Sequence, residues 1–285
     1  MSAASSPIAP AVALIGYGEV GKIFARDFLA HGARGVAAYD ILFEDGTAGA
    51  AMIAHARDAG VKAAATPAEA TRGADVVVSA VTASAVLDVA REAAGYLVPG
   101  QMFLDINSAS PATKRQAASL VTATGASYIE CAVMAPVPGP GLGVPILAGG
   151  PDAARACALL NGCGMNMRAV ATDYGRASAM KLSRSIIIKG LEALLIDCAS
   201  AARAWDVENE VFASLTQSFP SIDFAALAEA MAARVREHGL RRAAEMREAA
   251  EMLADLGLDN SLARAVADAQ QRGAAARPAH QPQEA

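Results

Sequence analysis

Three glycines near the start of the chain have a spacing suited to phosphate binding. They stand at the first, third and sixth places of the run Gly16, Tyr17, Gly18, Glu19, Val20 and Gly21, which follows an apolar stretch and opens an amphipathic one. In such a turn the first glycine permits a tight bend, the second lets backbone N–H groups approach a pyrophosphate, and the third lets a helix pack on a strand. The N–H groups at the helix start then hold the phosphates. The run therefore predicts a dinucleotide site.

An acidic residue follows at the distance that ribose recognition requires. Asp40 lies nineteen residues after Gly21, at the end of the second predicted strand. A carboxylate there accepts hydrogen bonds from the adenosine ribose hydroxyls. Because it would also repel a 2′-phosphate, the sequence favours NAD over NADP as the cofactor.

Four residues share one face of a long predicted helix at spacings of four, three and four, namely Lys181, Ser185, Ile188 and Glu192. Oxidation of an alcohol needs a group that takes the hydroxyl proton while hydride leaves carbon. A lysine does this only when its pKa falls toward neutrality, through burial or a neighbouring positive charge. The alternative is an ordinary solvated lysine on a helix face.

Asn107 and Ser108 follow a predicted strand, and ligands bind outside the carboxyl ends of strands in open α/β sheets. Both side chains donate and accept hydrogen bonds, so they suit a substrate hydroxyl or carboxylate. The alternative is capping of the next helix, for which Ser110 is better placed.

A polar face at three- and four-residue spacing occurs later in the chain and comprises His238, Arg241, Arg242 and Glu245. One interpretation is a solvated, self-paired surface. The other is an anion site for substrate, with Arg241 or Arg242 reaching it across a dimer interface.

The front half alternates short β-rich runs with amphipathic segments, which is typical of a mainly parallel sheet with helices on both faces. The predicted strands are residues 11–15, 36–39, 61–64, 75–80, 102–106, 127–133, 144–147 and 167–170. The predicted helices between them are residues 20–30, 46–59, 84–96 and 111–122. Residues 134–145 hold four prolines and three glycines, which predicts a loop.

From residue 174 onward only helical patterns occur. The predicted helices are residues 175–204, 221–235, 238–256 and 260–273, with Ser221 and Asn260 as N-caps and Gly257 as a stop. The first of them is apolar around much of its circumference. This predicts burial, and with it a homodimer built on the helical part.

Composition excludes several classes of protein. A net charge of −5 and a pI near 5.4 argue against a nucleic-acid partner. No apolar run has the roughly 18 uncharged residues that a membrane span needs, and residues 1–10 lack the features of a secretion signal. Widely spaced cysteines indicate free thiols rather than a metal site or disulfides. A cytoplasmic enzyme with a small-molecule substrate is expected.

The motifs, taken in order, resemble those of the β-hydroxyacid dehydrogenases, which include 3-hydroxyisobutyrate and 6-phosphogluconate dehydrogenases. Besides the glycine turn, the matching segments are residues 74–82, 105–111 and 175–181, within a resemblance that covers about residues 12–258. The first resembles the family's cofactor-lining segment, which implies contacts from Val81 and Thr82. The second resembles its substrate-binding turn, and the third resembles the motif that carries the catalytic lysine, here Lys181.

Two departures bear on the substrate. Ser185 stands where the family has asparagine, and residues 130–136 replace a segment that ends in Ser-Gly-Gly and grips the substrate carboxylate. Met134 takes the place of that serine, so a simple 3-hydroxy acid is not the expected substrate. The pattern looks closest to a branch whose C-terminal domain is similar to that of phosphogluconate dehydrogenase.

The sequence therefore predicts an α/β protein with a Rossmann-type doubly wound sheet over residues 11–173 and an all-helical substrate and dimerisation domain over residues 174–273. Residues 1–10 are expected to form a flexible leader and residues 274–285 a disordered tail. The resemblance implies hydride transfer between nicotinamide and the carbinol carbon of a small hydroxy acid or related alcohol, with Lys181 as general acid/base. The residues expected to contact substrate are Asn107, Ser108, Met134, Ser185, His238, Arg241 and Arg242, and Asn107 is expected to contact the cofactor too. An imine reductase-like enzyme and a non-catalytic NAD-binding scaffold are the alternatives, and Lys181 counts against both.

Overall fold

The computed structural model describes residues 9–275, so most of the predicted leader and tail lies outside the described residues. The chain divides into two compact units, of which the first ends at Lys181 and the second begins at Leu182. The sequence placed this boundary between residues 173 and 174, before the long helix. The difference arises because the first turns of that helix belong to the sheet-bearing unit, where Ala177 packs against Ala132 and Leu147.

The first unit is built on one eight-stranded sheet with the order β3-β2-β1-β4-β5-β6-β7-β8. The strands are β1 (Ala11–Ile15), β2 (Gly35–Tyr39), β3 (Lys62–Ala63), β4 (Val76–Ser79), β5 (Met102–Asp105), β6 (Ser127–Val133), β7 (Pro145–Gly149) and β8 (Asn166–Ala171). The first six are mutually parallel, β7 runs antiparallel to β6, and β8 is parallel to β7. The order of the first six strands is that of the Rossmann fold, as predicted.

Helices cover both faces of this sheet. They are α1 (Glu19–Ala30), α2 (Gly46–Asp58), α3 (Pro67–Thr71), α4 (Val86–Ala93), α5 (Pro111–Thr122) and α6 (Ala153–Asn161). One buried cluster joins Leu14 and Ile129 of the sheet to Phe24 of α1. A second cluster, on the other face, joins Phe103 to Val121 of α5. Alternate residues of the strands thus feed two cores, which is why the strands are apolar throughout.

Two helices of this unit were not predicted. They are α3 and α6, although Thr66 and Pro67 form a capping signal in which the Thr66 hydroxyl accepts the Glu69 N–H at 3.1 Å. The proline-rich segment is a loop, as predicted, and it contains one 3₁₀ turn (Gly141–Gly143). Strand β7 begins at Pro145, which lay within the predicted strand 144–147. A proline is tolerated there because it is the first residue of the strand.

The second unit is helical in its described part. Helix α7 (Arg176–Ala204) enters it from the first unit, and α8 (Glu208–Ser218), α9 (Phe224–Asp255) and α10 (Ser261–Ala275) follow. The apolar core of α7, α8 and α9 is formed by Leu195, Ala199, Phe212, Phe224, Ala228 and Met231. Among the described helices none is both long and apolar enough to cross a membrane.

The prediction of two helices over residues 221–256 was wrong, because α9 is continuous. Gly239 lies inside it and serves close packing: a Cβ there would collide with the Gln270 carbonyl oxygen of α10. The N-cap of α9 differs from the prediction, because Asp223, rather than Ser221, accepts the Ala226 N–H at 3.0 Å. Asn260 directly precedes α10, as predicted, and its amide donates to the Ala250 carbonyl. Helix α8 was not predicted, and α10 continues two residues past its predicted end.

The predicted stop at Gly257 is confirmed. This residue has a φ of +69° and directly follows the C-cap of α9. Its N–H donates to the Ala254 carbonyl, and the next N–H donates to the Leu253 carbonyl. A left-handed glycine with these bonds is a common way to end a helix.

Candidate active site

The three glycines after β1 have three different environments. Gly16 has a φ of +103°, and a Cβ on it would collide with the Ala80 carbonyl oxygen. A Cβ on Gly21 would collide with the carbonyl oxygen of Gly16, so this glycine lets α1 pack against the turn. At Gly18, by contrast, no described atom lies within 4 Å of the Cβ position. The middle glycine therefore presents open backbone, which is what close approach of a pyrophosphate requires.

The N-terminus of α1 suits the same ligand. Gly18 is the N-cap residue, and among the described side chains none makes a capping hydrogen bond to this helix. Gly18 and Glu19 are exposed, and Val20 is half-buried. Because the first N–H groups of a helix lack partners within it and carry positive partial charge, this end of α1 fits an anionic phosphate.

Tyr17 belongs to the glycine turn, and its side chain lies in the core. Its side chain is fully buried, edge-on to the rings of Phe43 and His55, and its hydroxyl lies 3.2 Å from His55 Nδ1. Burial raises the pKa of this phenol. Tyr17 therefore contributes its backbone to the turn, while its side chain belongs to the core.

Asp40 ties the end of β2 to the glycine turn. Its Oδ2 accepts the Tyr17 N–H at 2.7 Å, and its Oδ1 accepts the Leu42 N–H at 2.9 Å. Each carboxylate oxygen retains a further lone pair, and the side chain is half-buried. The carboxylate is thus held in one orientation beside the phosphate-binding turn, where ribose hydroxyls would reach it.

The turns after β4 and β5 are bonded to each other through Asn107. Its Oδ1 accepts the Val81 N–H at 2.6 Å, and its Nδ2 donates to Ser79 Oγ at 3.0 Å and to Asp105 Oδ1 at 2.7 Å. Both amide hydrogens of Asn107 are therefore used inside the protein. Asn107 organises the carboxyl edge of the sheet, and only its carbonyl oxygen retains bonding capacity. Thr82, next to Val81, is exposed.

Ser108 differs from its neighbour. Its Oγ is buried and makes no hydrogen bond to any described residue. Capping of α5 is carried out by Ser110, whose Oγ accepts the Thr113 N–H at 3.3 Å. Because buried hydroxyls are nearly always hydrogen-bonded in native proteins, the Ser108 hydroxyl fits a ligand contact.

A buried ion pair beneath this turn was not found from the sequence. Lys114 Nζ lies 2.9 Å from Asp105 Oδ1, and neither side chain is more than 1% exposed. The Tyr128 hydroxyl donates to Asp105 Oδ2 at 2.6 Å, and burial raises the pKa of Tyr128. The Asp105 carboxylate thus accepts a hydrogen bond from Asn107, and Lys114 and Tyr128 fix its own position. The signal was available: an acid at the end of an apolar strand, with a lysine on the next helix.

Lys181 is half-buried and lies in the second turn of α7. The start of this helix is tied to β6 by Glu130, which accepts the N–H groups of Gly175 and Ser178. Met134 is half-buried and packs with Ala132, Leu147 and Ala177, the last of which belongs to the first turn of α7. The Met134 side chain therefore supplies packing at the place where the family has a polar substrate contact.

In the second unit, Ser185 has partners of its own. Its hydroxyl donates to Glu245 Oε1 at 2.5 Å and accepts from Lys189 Nζ at 3.2 Å. Lys189 and Glu245 form an ion pair at 3.0 Å, and burial lowers the pKa of Lys189 against the opposing effect of that carboxylate. The Ser185 hydroxyl is thus engaged within the helical unit.

The side chain of Arg242 binds a buried carboxylate. Residues 238–245 therefore do not form one solvated face, which was one of the two interpretations from the sequence. The Arg242 Nε donates to Glu192 Oε2 at 2.9 Å, its Nη2 donates to Oε1, and Glu192 is fully buried. Arg234 lies 3.3 Å from the same carboxylate. Arg242 therefore neutralises a buried acid. Arg241 is exposed, and His238 lies 3.6 Å from the Glu237 carboxylate.

Residues 11–169 match the family described as the NAD binding domain of 6-phosphogluconate dehydrogenase. Residues 202–273 match a domain of unknown function, DUF1932. The first match covers all eight strands except the end of β8 and contains the glycine turn, Asp40 and Ser108. The second covers most of the helical unit.

Solved structures agree with these matches. A conserved hypothetical protein from Sinorhizobium meliloti is 38% identical with a TM-score of 0.80, over 94% of this chain and 90% of that one. A conserved protein of unknown function, described as structurally similar to 3-hydroxyacid dehydrogenases, is 30% identical with a TM-score of 0.74, over 92% and 96%.

More distant structures share the fold alone. The 3-hydroxyisobutyrate dehydrogenase of Mycobacterium tuberculosis is 16% identical with a TM-score of 0.75, over 94% of both chains. An imine reductase from Streptomyces aurantiacus is 24% identical with a TM-score of 0.55, over 93% and 94%. A curated relative, an uncharacterized 28.5 kDa protein of Methanothermus fervidus, is 26% identical over 52% of this chain, and the match spans 55% of that protein.

Proposed function

Because the chain belongs to the family of the NAD binding domain of 6-phosphogluconate dehydrogenase, we propose that it is an NAD-dependent oxidoreductase acting on a small hydroxy acid or related alcohol. The observation that carries the proposal is the buried hydroxyl of Ser108, which has no hydrogen-bond partner among residues 9–275. It follows β5 at the carboxyl edge of the sheet, the edge at which ligands of open α/β sheets bind.

The residues present fit the dinucleotide. The open backbone at Gly18 and the N-terminus of α1 would hold the pyrophosphate, and Asp40 would accept hydrogen bonds from the adenosine ribose. The turn that Asn107 fixes at Val81 would line the cofactor. A dinucleotide held by these residues would supply the hydride acceptor for oxidation of an alcohol and the hydride donor for the reverse reaction.

The protein's own part in the reaction is orientation and proton transfer. The Ser108 hydroxyl would donate a hydrogen bond to the substrate and so satisfy its own bonding capacity. The neutral amine of Lys181 would take the hydroxyl proton during oxidation, and its ammonium form would return that proton during reduction. Oxidation should therefore rise with pH, because only the neutral amine accepts a proton.

The test begins with a panel of hydroxy acids and alcohols assayed for reduction of NAD and NADP. With a working substrate, Lys181→Ala should lower kcat by roughly 10²–10⁴-fold, the usual contribution of a general acid/base. NAD affinity should stay nearly unchanged, because the glycine turn and Asp40 hold the cofactor. Lys181→Arg should not rescue turnover, since a guanidinium stays protonated. The matched control is Lys62→Ala, which removes an exposed lysine.

Three outcomes would contradict the proposal. Full turnover in Lys181→Ala with an unchanged pH profile would remove Lys181 from the chemistry. Turnover only with a ketone, an amine and reduced cofactor would make the enzyme an imine reductase. If calorimetry shows NAD binding but neither the alcohol panel nor the ketone and amine assay gives turnover, the protein is a non-catalytic scaffold.

A further inference from the structure

The buried carboxylate of Glu130 on β6 binds the beginning of the helix that carries Lys181. Its Oε2 accepts the Gly175 N–H at 2.5 Å, and its Oε1 accepts the Ser178 N–H at 2.6 Å. The first N–H groups of a helix have no partner within that helix. The two carboxylate oxygens therefore supply hydrogen bonds that α7 cannot make for itself.

The negative charge suits this position. Glu130 is fully buried, and a buried carboxylate costs free energy unless it is compensated by hydrogen bonds or opposite charge. The N-terminus of a helix offers both, since its N–H groups carry the positive end of the helix dipole. Glu130 and the 29-residue helix α7 thus stabilise each other.

Two glycines leave room for the contact. A Cβ at Gly149, on the neighbouring strand β7, would lie 2.8 Å from Glu130 Oε2. Gly175 has a φ of +99°, a conformation that other residues rarely adopt, and it directly precedes α7. The backbone on both sides is thus shaped around this carboxylate.

Glu130 also has a defined neighbour on β5. It pairs in register with Asp105, whose carboxylate binds the Asn107 side chain. Asn107 in turn accepts the Val81 N–H of the turn after β4. Adjacent residues on two neighbouring strands therefore hold two different parts of the site: Asp105 holds the turn that would line the cofactor, and Glu130 holds the first turn of α7.

We propose that Glu130 is a positioning residue, which fixes the backbone of α7 and so places Lys181 relative to the turn at Asn107. The inference rests on the proposed function, in which Lys181 moves the proton. Proton transfer requires its partners within hydrogen-bond reach, and a displacement of about 1 Å can cost on the order of 10²-fold in rate. Glu130 acts on the proton transfer through its two hydrogen bonds to the backbone at the start of α7.

The test is Glu130→Gln, measured by amide hydrogen exchange and by steady-state kinetics. In glutamine an NH₂ donor replaces one of the two carboxylate oxygens, so one of the two backbone N–H groups would face a donor instead of an acceptor. We expect the amides of Gly175 and Ser178 to exchange at least about tenfold faster than in the wild type, because a bonded N–H exchanges only after local opening. With the substrate found by the panel, kcat should fall roughly 10- to 100-fold while KM for NAD stays within about twofold.

The matched control is Glu69→Gln in the same unit. The Glu69 carboxylate also accepts a backbone N–H, that of Ala65 at 3.0 Å, but it is only half-buried and forms an ion pair with Lys62. The same chemical change there should leave kcat and the exchange of the Gly175 and Ser178 amides as in the wild type. A parallel fall of kcat in both variants would overturn the assignment.

Other outcomes also decide the question. Wild-type exchange in Glu130→Gln overturns the proposal, as does faster exchange with unchanged kcat. If Glu130→Gln does not fold, Glu130→Asp is the second variant. Its carboxylate keeps the charge, but its side chain is one methylene shorter, so it should no longer reach both N–H groups. Exchange of the Gly175 and Ser178 amides at the wild-type rate in Glu130→Asp would overturn the proposal. The two proposals fail separately: full turnover in Lys181→Ala refutes the catalytic lysine, whereas the exchange data report on the Glu130 contact without any substrate.

Discussion

At the scale of single residues, the polar side chains after β5 fall into two kinds. Asn107 has both amide hydrogens bound within the protein, whereas the Ser108 hydroxyl is buried without a partner among the described residues. Asn107 therefore belongs to the framework of the site, whereas the Ser108 hydroxyl keeps its hydrogen-bonding capacity, which the proposed function assigns to the substrate. The sequence predicted a substrate contact for both, because both side chains can donate and accept hydrogen bonds.

Asp40 gives the first prediction at this scale. Its carboxylate is oriented by the N–H groups of Tyr17 and Leu42, so we expect NAD to bind more tightly than NADP. Asp40→Ala should weaken NAD binding by about tenfold or more, since hydrogen bonds to a charged group contribute roughly 1.5–3 kcal/mol each. The same substitution should reduce the difference between the affinities for NAD and NADP. Calorimetry with both cofactors measures this.

The control for that variant is Asp40→Asn, which keeps an acceptor for one of the two N–H groups. If the cofactor preference depends on charge, Asp40→Asn narrows the NAD–NADP gap as Asp40→Ala does, while its melting temperature stays closer to that of the wild type. Equal affinity of the wild type for NAD and NADP would show that the carboxylate does not select the cofactor.

At the scale of elements, charged side chains connect the helices of the second unit. The α7 residues Lys189 and Glu192 bind Glu245 and Arg242 of α9, and Gln270 of α10 donates to Glu192 at 2.9 Å. Three helices are thus held in register by buried polar contacts as well as by their apolar core. Leaving one member of such a network unpaired is costly, because the remaining charge stays buried.

Lys189 makes this network dependent on pH. Burial lowers its pKa from the usual 10.5, against the opposing effect of Glu245 and with a smaller lowering by Arg242. Between the folded and unfolded pKa values the unfolded chain binds more protons, so the free energy of unfolding rises with pH in that range. We expect the wild type to gain stability relative to Lys189→Met as the pH rises from neutral toward 10.5.

Chemical denaturation at several pH values measures this difference. Lys62→Met serves as the control, because Lys62 is mostly exposed and its removal should leave the pH dependence as in the wild type. Parallel stability curves for the wild type and Lys189→Met would show that Lys189 keeps its ordinary proton affinity in the folded state.

At the scale of the whole molecule, part of the long helix remains uncovered in a single chain. Leu195 of α7 is 4% exposed and faces the core, whereas Ile187 and Leu194 are 70% and 68% exposed. These two residues are seven apart and so lie on one face. Leu240 of α9 is also 67% exposed.

We propose that a second copy of the chain covers this face of α7. Light scattering at micromolar concentration should give the mass of a dimer. Replacing Ile187 and Leu194 together by glutamate should shift it toward the monomer, because burying two unpaired charges is unfavourable. The paired control replaces Arg176 and Asp173, an exposed ion pair, by alanine. A monomeric wild type would refute the proposal.

The sequence by itself determined the order of the eight strands and the place of the glycine turn. Hydrophobic periodicity and the glycine spacing are local properties, so β1, β6 and α5 were predicted with the bounds that the structure shows. The position of Ser110 likewise predicted the cap of α5. Where local signals were weak or ambiguous, as in the short helix α3 and the continuous helix α9, the prediction failed.

Only the tertiary structure decided what the buried charges do. Glu130 lies in a strand whose local pattern gives no partner, because the N–H groups that it accepts are 45 and 48 residues away in the sequence. Hydrogen bonds between distant segments depend on how the sheet and helices pack, and packing is not encoded in any short window. The pattern of residues thus predicted which chemistry is available, and the packed structure showed which side chains are bonded to other described residues.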